Sequence, residues 1–181
     1  NLSSLPVDQL PAAVRSAFEA ALSEYIAAQS VALDMSSAQF NLALVYGNTG
    51  RQELAERHYL GALKIDPDFI AARANLAQMY NDLGRNADAE RLLVEGLKRN
   101  PRIGELQYSL GLLLAEGKRM QEATLALAEA AKLLPTEAKV HYNYGLALDQ
   151  MGLKDQAEAS LLRAQRLDPE DPAMPYALSA F

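Results

Sequence analysis

Four polar residues recur at intervals of 34 positions along this 181-residue chain, and their side chains can pair with a peptide backbone. They are Asn41, Asn75, Ser109 and Asn143. An asparagine carboxamide offers both an acceptor and donors, which suits pairing with the N–H and C=O groups of an extended peptide. Asparagine is also a poor residue for a helix interior. Three asparagines in one position of four repeats therefore indicate a binding function.

Two further sets flank these polar residues and would share their surface. The preceding position holds Phe40, Ala74, Tyr108 and Tyr142, and the third position after holds Leu44, Gln78, Leu112 and Leu146. We predict a peptide-binding site that comprises Asn41, Asn75, Ser109, Asn143, Phe40, Gln78, Tyr108 and Tyr142. In the alternative interpretation, the asparagines pair with polar groups of a neighbouring helix or face water, and the two tyrosines pack between repeats.

Other residues capable of chemistry lack the partners that catalysis needs. His58 and His141 have no His, Asp or Glu at a helical spacing that would complete a metal site. No serine is accompanied in the sequence by the histidine and acid that a catalytic triad needs. Glu53 and Asp155, each with a second carboxylate three residues later, fall at the start of predicted helices. There they are expected to favour the helix macrodipole and to supply caps. We therefore predict neither an enzyme nor a cofactor.

The elements that position these residues repeat with the same period. Prolines stand 34 residues apart at Pro67, Pro101, Pro135 and Pro169. A period of this length is typical of stacked structural repeats. Glycines share the register at Gly50, Gly84 and Gly152, while Gly117 stands one place early with Lys118 in the column. Because glycine tolerates positive φ, each glycine is expected to turn the chain from one helix into the next.

Small and large apolar residues alternate in this register, which predicts close packing between paired helices. The small residues are Ala43, Ala77, Gly111 and Gly145; Ala55, Ala89, Ala123 and Ala157; and Ala62, Gly96, Ala130 and Ala164. The large ones are Leu42, Leu76, Leu110 and Tyr144; Tyr46, Tyr80, Leu114 and Leu148; and Tyr59, Leu93, Leu127 and Leu161. Apolar residues three and four apart indicate helices, and small residues facing large ones allow two helices to approach closely.

Each repeat is therefore predicted to consist of a first helix, a turn, a second helix and an X-Pro stop, since a residue before proline resists the α region. In the first repeat the helices are predicted at about 36–48 and 52–65. The predicted repeats are 36–69, 70–103, 104–137 and 138–171. Residues 1–35 are predicted to hold a partial repeat, in which about 8–33 form either a second helix without its first-helix partner or an extended N-terminal cap. Residues 172–181 are predicted to begin a truncated fifth repeat or cap.

The motif Leu42-Ala43-x-x-Tyr46, with Gly50, Ala55, Tyr59, Ala62 and Pro67, resembles the tetratricopeptide repeat. This resemblance implies an all-α fold, a right-handed α-α superhelix (a solenoid) of antiparallel helix pairs. It also implies that the first helices line a concave face, where a ladder of asparagines in similar repeats holds peptides largely irrespective of sequence. The aromatic residue that often opens the first helix of this family is replaced by Gln39, Arg73, Gln107 and His141.

A different class of the family clamps a C-terminal carboxylate with lysines and asparagines. Those cations are missing here apart from Lys139, and the same region carries Asp82, Glu105, Glu116 and Asp149. We therefore predict a protein or peptide segment that is extended, with apolar anchors and a basic residue, rather than a bound C-terminus.

Composition argues against several other partners. A net charge of −6 and a pI near 5.0 disfavour nucleic acid, which needs a basic stripe. The basic residues are scattered, and those on second helices and turns are predicted to form a solvated outer face. No apolar run approaches the ~20 residues that span a bilayer, so no membrane association is predicted. The absence of cysteine excludes disulfides and leaves the compartment, cytoplasmic or bacterial periplasmic, open.

The repeat pattern continues past both ends, which predicts a domain excised from a longer polypeptide. Ala177, Leu178 and Phe181 would then lie at an uncapped solenoid end and promote dimers. The alternative function is a structural spacer or an intramolecular docking domain of a larger protein. The segment from Leu5 to Phe69 resembles repeat segments of large exported bacterial multihaem cytochromes, although the sequence holds no haem-attachment motif.

Overall fold

The computed structural model describes residues 12–170, and within that range the chain forms nine α-helices and no strand. The helices are α1 (Ala12–Ser30), α2 (Ser36–Asn48), α3 (Gln52–Ile65), α4 (Ile70–Asp82), α5 (Asn86–Arg99), α6 (Gly104–Glu116), α7 (Met120–Leu133), α8 (Ala138–Gln150) and α9 (Lys154–Leu167). The bounds of α2 and α3 coincide with the predicted ones. The predicted fifth repeat, 172–181, with its dimer-forming residues, lies outside the described residues. No described helix is both long and apolar enough to cross a membrane.

Tight turns of one type join the two helices of each repeat. In the first repeat the Arg51 N–H donates to the Tyr46 carbonyl at 2.8 Å, and the Gly50 N–H donates to the Gly47 carbonyl at 3.1 Å. This pair of bonds is the Schellman motif, which satisfies the last carbonyls of a helix and needs a left-handed residue after it. The same pair closes α4, α6 and α8, so each first helix ends in the same geometry.

The left-handed residue of the third turn is Lys118, and the expectation for Gly117 was wrong. Gly50, Gly84 and Gly152 have φ of 75°, 72° and 74°, whereas Lys118 has φ of 59°. Gly117 has φ of −73°, an ordinary value for any residue. The Schellman bonds fix which position must be left-handed, so a glycine one place early cannot substitute. The third repeat therefore holds a lysine in the left-handed conformation, which is unfavourable for a residue with a side chain.

The chain divides into two compact units, Asn1–Ala72 and Arg73–Phe181, with the boundary inside α4. In the first unit α2 packs on α3, and α1 contacts α2. In the second unit α6 packs on α7 and α8 on α9, while α6 and α8 also contact each other. Because tight turns connect the two helices of each of these pairs, the helices are antiparallel, as predicted.

Small residues face large ones across these pairs, as the alternating columns predicted. A Cβ on Gly145 would lie 2.7 Å from Leu161 Cγ, and one on Gly111 would lie 2.6 Å from Leu127 Cγ. Both leucines are almost fully buried. At these two points the paired helices are so close that only glycine fits without a shift of the facing leucine.

Polar side chains occupy the position where this repeat type often has an aromatic residue, and they bond to main-chain carbonyls. Three of them reach the carbonyl six residues earlier: Gln39 to Leu33, Gln107 to Pro101 and His141 to Pro135. The fourth, Arg73, is buried, and its Nη1 donates to the Leu92 carbonyl at 2.9 Å. A Cβ on Gly96 would lie 2.4 Å from Arg73 Cδ, so this glycine makes room for the arginine.

The helix starts differ from the sequence expectation. Glu53 and Asp155 lie in the first turns of α3 and α9, where their charge favours the macrodipole. They do not supply caps, however. The N-cap positions belong to Arg51 and Leu153, whose side chains form no capping hydrogen bond. The prediction of a solvated basic face is confirmed for Arg51, Arg57, Arg85, Arg91, Lys98 and Arg99, which are all exposed.

Candidate functional site

The first helices of the second unit lie side by side and form one continuous surface. Asn81 of α4 donates to Glu116 Oε2 of α6 at 2.5 Å, and α6 contacts α8. A shallow cleft between α4 and α6 is lined by Ala77, Gln78, Asn81, Leu93, Ser109, Leu112, Leu113 and Glu116. We call the residues of α4, α6 and α8 that were predicted to bind peptide the first-helix surface: Asn75, Gln78, Tyr108, Ser109, Tyr142 and Asn143.

Asn143 and Tyr108 form the best-defined contact of the first-helix surface. Asn143 Nδ2 donates to the Tyr108 hydroxyl at 2.8 Å and to the Lys139 carbonyl at 2.9 Å. Both amide hydrogens are therefore used within the protein. No described residue donates to Asn143 Oδ1, and the Tyr108 hydroxyl keeps its own hydrogen. Both side chains are half-buried, so this acceptor and this donor lie next to each other at the surface.

The environment of Tyr108 is partly apolar. Burial raises the pKa of Tyr108, and the hydrogen bond from Asn143 acts in the opposite direction. The Lys139 ammonium lies 5.9 Å from the centre of the Tyr108 ring. The phenol therefore stays protonated at neutral pH and remains a hydrogen-bond donor.

Two other predicted residues bond within their own helices. Ser109 Oγ donates to the Glu105 carbonyl at 2.9 Å, and Gln78 Nε2 donates to Asp82 Oδ1 at 2.8 Å. Gln78 and Ser109 nevertheless line the same cleft. Asn75 is exposed on α4, and Tyr142 is half-buried on α8. The structure thus brings Gln78 to Ser109 and Tyr108 to Asn143.

The predicted residues of the first unit are engaged in packing. Asn41 Nδ2 donates to Gln29 Oε1 of α1 at 3.3 Å. The Phe40 ring centroid lies 6.0 Å from that of Tyr59 and 5.1 Å from that of Phe69. The Asn41 contact matches the alternative interpretation, in which the asparagines pair with polar groups of a neighbouring helix.

The carboxylates near the first-helix surface differ in how they are compensated. Asp149 is ion-paired with Lys154 at 2.5 Å, so it adds less negative charge than its position in the sequence indicated. Asp82 and Glu116 accept hydrogen bonds from the neutral side chains of Gln78 and Asn81 instead. These two are also the last residues of α4 and α6, where the helix dipole disfavours a negative charge. The surface therefore keeps a local excess of negative charge.

Sequence reasoning missed a polar cluster in the first unit. Gln39 Nε2 donates to the Leu33 carbonyl, which leaves its Oε1 facing His58 Nδ1 at 2.7 Å. The His58 ring stacks on Tyr46 with a centroid distance of 5.3 Å. Burial and the positive charge of Arg57 lower the pKa of His58. The one sequence feature that could have indicated this cluster is Gln39, which stands where this repeat type often has an aromatic residue. Among the described residues no group of His, Cys, Asp and Glu could hold a metal ion.

Comparison with known proteins identifies the repeat. Two profiles, both described as tetratricopeptide repeat, match the sequence, one over residues 74–138 and the other over 36–69 and 138–171. Together they cover well over half of the chain. No curated protein matches it.

Solved structures of bacterial proteins are similar. PilF of Pseudomonas aeruginosa is 28% identical with a TM-score of 0.72, over 80% of this chain and 66% of that one. A crystal structure of MamA is 26% identical with a TM-score of 0.66, over 75% and 79% of the two chains. MamA of Desulfovibrio magneticus, at 17% identity and a TM-score of 0.62 over 77% and 78%, shares the fold alone. The fold is thus a helical repeat solenoid.

Proposed function

The chain belongs to the tetratricopeptide repeat family, whose members generally serve as non-catalytic scaffolds for protein interaction, and we propose that its first-helix surface binds an extended peptide segment. In this family the first helices line the face that receives ligands. The predicted polar column lies on those helices. The proposal assigns Asn143, Tyr108 and Asn75 as the main polar contacts and Tyr142 as an apolar contact.

The observation that carries the proposal is the arrangement of Asn143 and Tyr108. The two internal bonds of Asn143 Nδ2 orient the carboxamide, which leaves its Oδ1 as an acceptor beside a phenolic donor. One acceptor and one donor complement the N–H and C=O of a peptide backbone. Because the internal bonds hold the carboxamide before a ligand arrives, little side-chain entropy is lost on binding. Main-chain contacts of this kind select an extended backbone rather than a particular sequence.

Charge defines the second property of the proposed ligand. Asp82 and Glu116 accept hydrogen bonds from neutral donors, and both lie at the C-terminal ends of their helices. A lysine or arginine of the ligand would offset this unfavourable placement. The aliphatic part of such a side chain could lie along Leu112 beside Ser109 in the cleft. The proposed ligand is therefore an extended segment with a basic residue and apolar neighbours.

Selection from a displayed library of random peptides, followed by affinity measurements on the peptides obtained, tests the proposal. Replacing Asn75 and Asn143 together by alanine should weaken binding roughly tenfold or more, since each lost hydrogen bond contributes about 1 kcal/mol. The matched control is Asn86→Ala, an exposed asparagine on α5, outside the first-helix surface. Equal affinity of the double variant and wild type, with both folded by circular dichroism, would rule out this surface as the binding site.

A further inference from the structure

The cleft between α4 and α6 has an apolar base and a polar rim. Its base includes Ala77, Leu93 and Leu113, which are all buried. Its rim includes Gln78 of α4 and Ser109 and Glu116 of α6. A ligand side chain that fills this cleft must therefore combine an apolar stem with a polar head.

The rim presents hydrogen-bond acceptors to a ligand. Ser109 Oγ donates its only hydrogen to a main-chain carbonyl of its own helix, so toward a ligand this hydroxyl can only accept. Gln78 Nε2 donates to Asp82 Oδ1, which orients the carboxamide and leaves Gln78 Oε1 without a donor among the described residues. Asn81 Nδ2 donates to Glu116 Oε2, and no described residue donates to Glu116 Oε1. The ligand group that matches this rim is a donor.

The carboxylate of Glu116 has no positive charge beside it. No described Lys, Arg or His forms an ion pair with Glu116. Basic residues in and next to the turns of the second unit pair with other carboxylates: Arg85 with Asp88, Arg119 with Glu90 and Lys154 with Asp149. Glu116 is also the last residue of α6, where the helix dipole disfavours an anion. The donor that fits the cleft is therefore a cation.

We infer that this cleft binds an arginine side chain of the ligand, with Glu116 and Gln78 as the residues that select it. This assignment rests on the proposed function, since the arginine must belong to a segment held along the first-helix surface. A guanidinium has five N–H donors in one plane, which suits acceptors on two different helices, and its flat face can lie on Leu112. The ammonium of lysine is a compact, strongly hydrated charge, so it loses more hydration on entering an apolar cleft.

Selection of peptides from a displayed random library tests the preference for arginine. The wild type should enrich peptides that share an arginine at one position, and Glu116→Gln should yield peptides without this enrichment. The matched control is Glu105→Gln, which removes the same charge from the first turn of α6 at an exposed residue outside the cleft. This control should still enrich arginine.

Affinity measurements on one selected peptide isolate the contribution of the guanidinium. Replacing its arginine by citrulline, which has a similar shape without the charge, should weaken binding to the wild type roughly tenfold, because a charged hydrogen bond is lost. Replacing it by lysine should weaken binding roughly threefold or more. Both replacements should have much smaller effects on binding to Glu116→Gln, since the two changes remove the same contact.

The possible outcomes separate this assignment from the proposed function. Peptides that bind more weakly when Asn75 and Asn143 are replaced by alanine, yet show no preference for arginine, overturn the assignment and leave the proposed function in place. The same conclusion follows if citrulline has equal effects in the wild type and Glu116→Gln, or if Glu105→Gln loses the arginine preference as well. A selection that yields no peptide, or only peptides that bind the double alanine variant as tightly as the wild type, overturns both.

Discussion

Asn143 and Tyr108 are joined by a hydrogen bond of 2.8 Å between the first helices of successive repeats, α8 and α6. The two residues are 35 positions apart in the sequence. The bond connects Asn143, a polar contact in the proposed peptide site, to Tyr108, the residue that helps to orient its carboxamide. Its contribution to folding can therefore be measured separately from any contribution to binding.

We predict that Tyr108→Phe and Asn143→Ala are energetically coupled. Tyr108→Phe keeps the half-buried ring and removes only the hydroxyl, so the free energy of unfolding should fall by about 1 kcal/mol. In a double-mutant cycle measured by urea unfolding, the two changes together should cost less than their sum by a similar amount. Strictly additive losses would show that the bond contributes nothing to stability.

Lys118→Gly should stabilise the protein. Lys118 has φ of 59°, a left-handed conformation that costs a residue with a side chain about 1–2 kcal/mol. Glycine removes this cost, but its greater conformational freedom in the unfolded state offsets part of the stabilisation. We expect a net increase of about 1 kcal/mol in the free energy of unfolding, measured by chemical denaturation.

The Gly117→Ala variant tests whether Lys118 or Gly117 is the residue that must be left-handed in this turn. Gly117 has φ of −73°, and a Cβ there would come no closer than 3.4 Å to the Leu113 carbonyl oxygen. Gly117→Ala should therefore leave stability unchanged or raise it slightly. A large loss in Gly117→Ala with no gain in Lys118→Gly would reverse the assignment of the turn residue.

Gly145→Ala should destabilise the fourth repeat. The new Cβ would lie 2.7 Å from Leu161 Cγ and 3.2 Å from the Ala157 carbonyl oxygen, so α8 and α9 would have to separate. Overpacking of this kind costs about 1–3 kcal/mol. Thermal unfolding followed by circular dichroism would measure the loss.

Gly47→Ala is the matched control, since the nearest atom to its new Cβ, Ala55 Cβ, is 3.9 Å away. There alanine should stabilise α2 by up to about 1 kcal/mol through its higher helix propensity. The same substitution should thus have opposite signs at the two positions, and equal signs would contradict the close approach of α8 and α9.

The stability of the first unit should depend on the protonation of His58. Burial lowers the pKa of His58 below the ordinary value of 6.5, so the folded protein holds the neutral ring. Unfolding then takes up a proton in the window between the lowered pKa and 6.5. The stabilising contribution is complete above 6.5 and is lost as the pH falls through the folded pKa.

The His58→Asn variant isolates this contribution from that of the carboxylates. Urea denaturation across the acidic range should give a steeper fall in the free energy of unfolding for the wild type than for His58→Asn. Nuclear magnetic resonance titration of His58 gives its pKa directly. Parallel pH profiles for the two proteins would mean that His58 titrates identically in the folded and unfolded states.

Most of the local structure could be predicted from the period of the sequence. The helices at 36–48 and 52–65 and the facing of Gly145 by Leu161 follow from residue spacing, because helix geometry is local and each repeat buries the same positions. The buried Arg73 could not be predicted in this way. Its guanidinium lies against the Leu92 carbonyl, 19 residues away, and only the packed helices reveal that an acceptor is there.

For the candidate site, too, the sequence determined the positions of the residues and the tertiary structure determined their contacts. The sequence alone determined that Asn41, Asn75 and Asn143 occupy equivalent positions on first helices, because a fixed period places equal positions on equal faces. Tertiary structure decided their different partners: Asn41 bonds to Gln29 of α1, whereas Asn143 bonds to Tyr108 and Lys139. Hydrogen bonds between side chains depend on rotamers and on neighbours from other helices, and a repeat period contains no information about either.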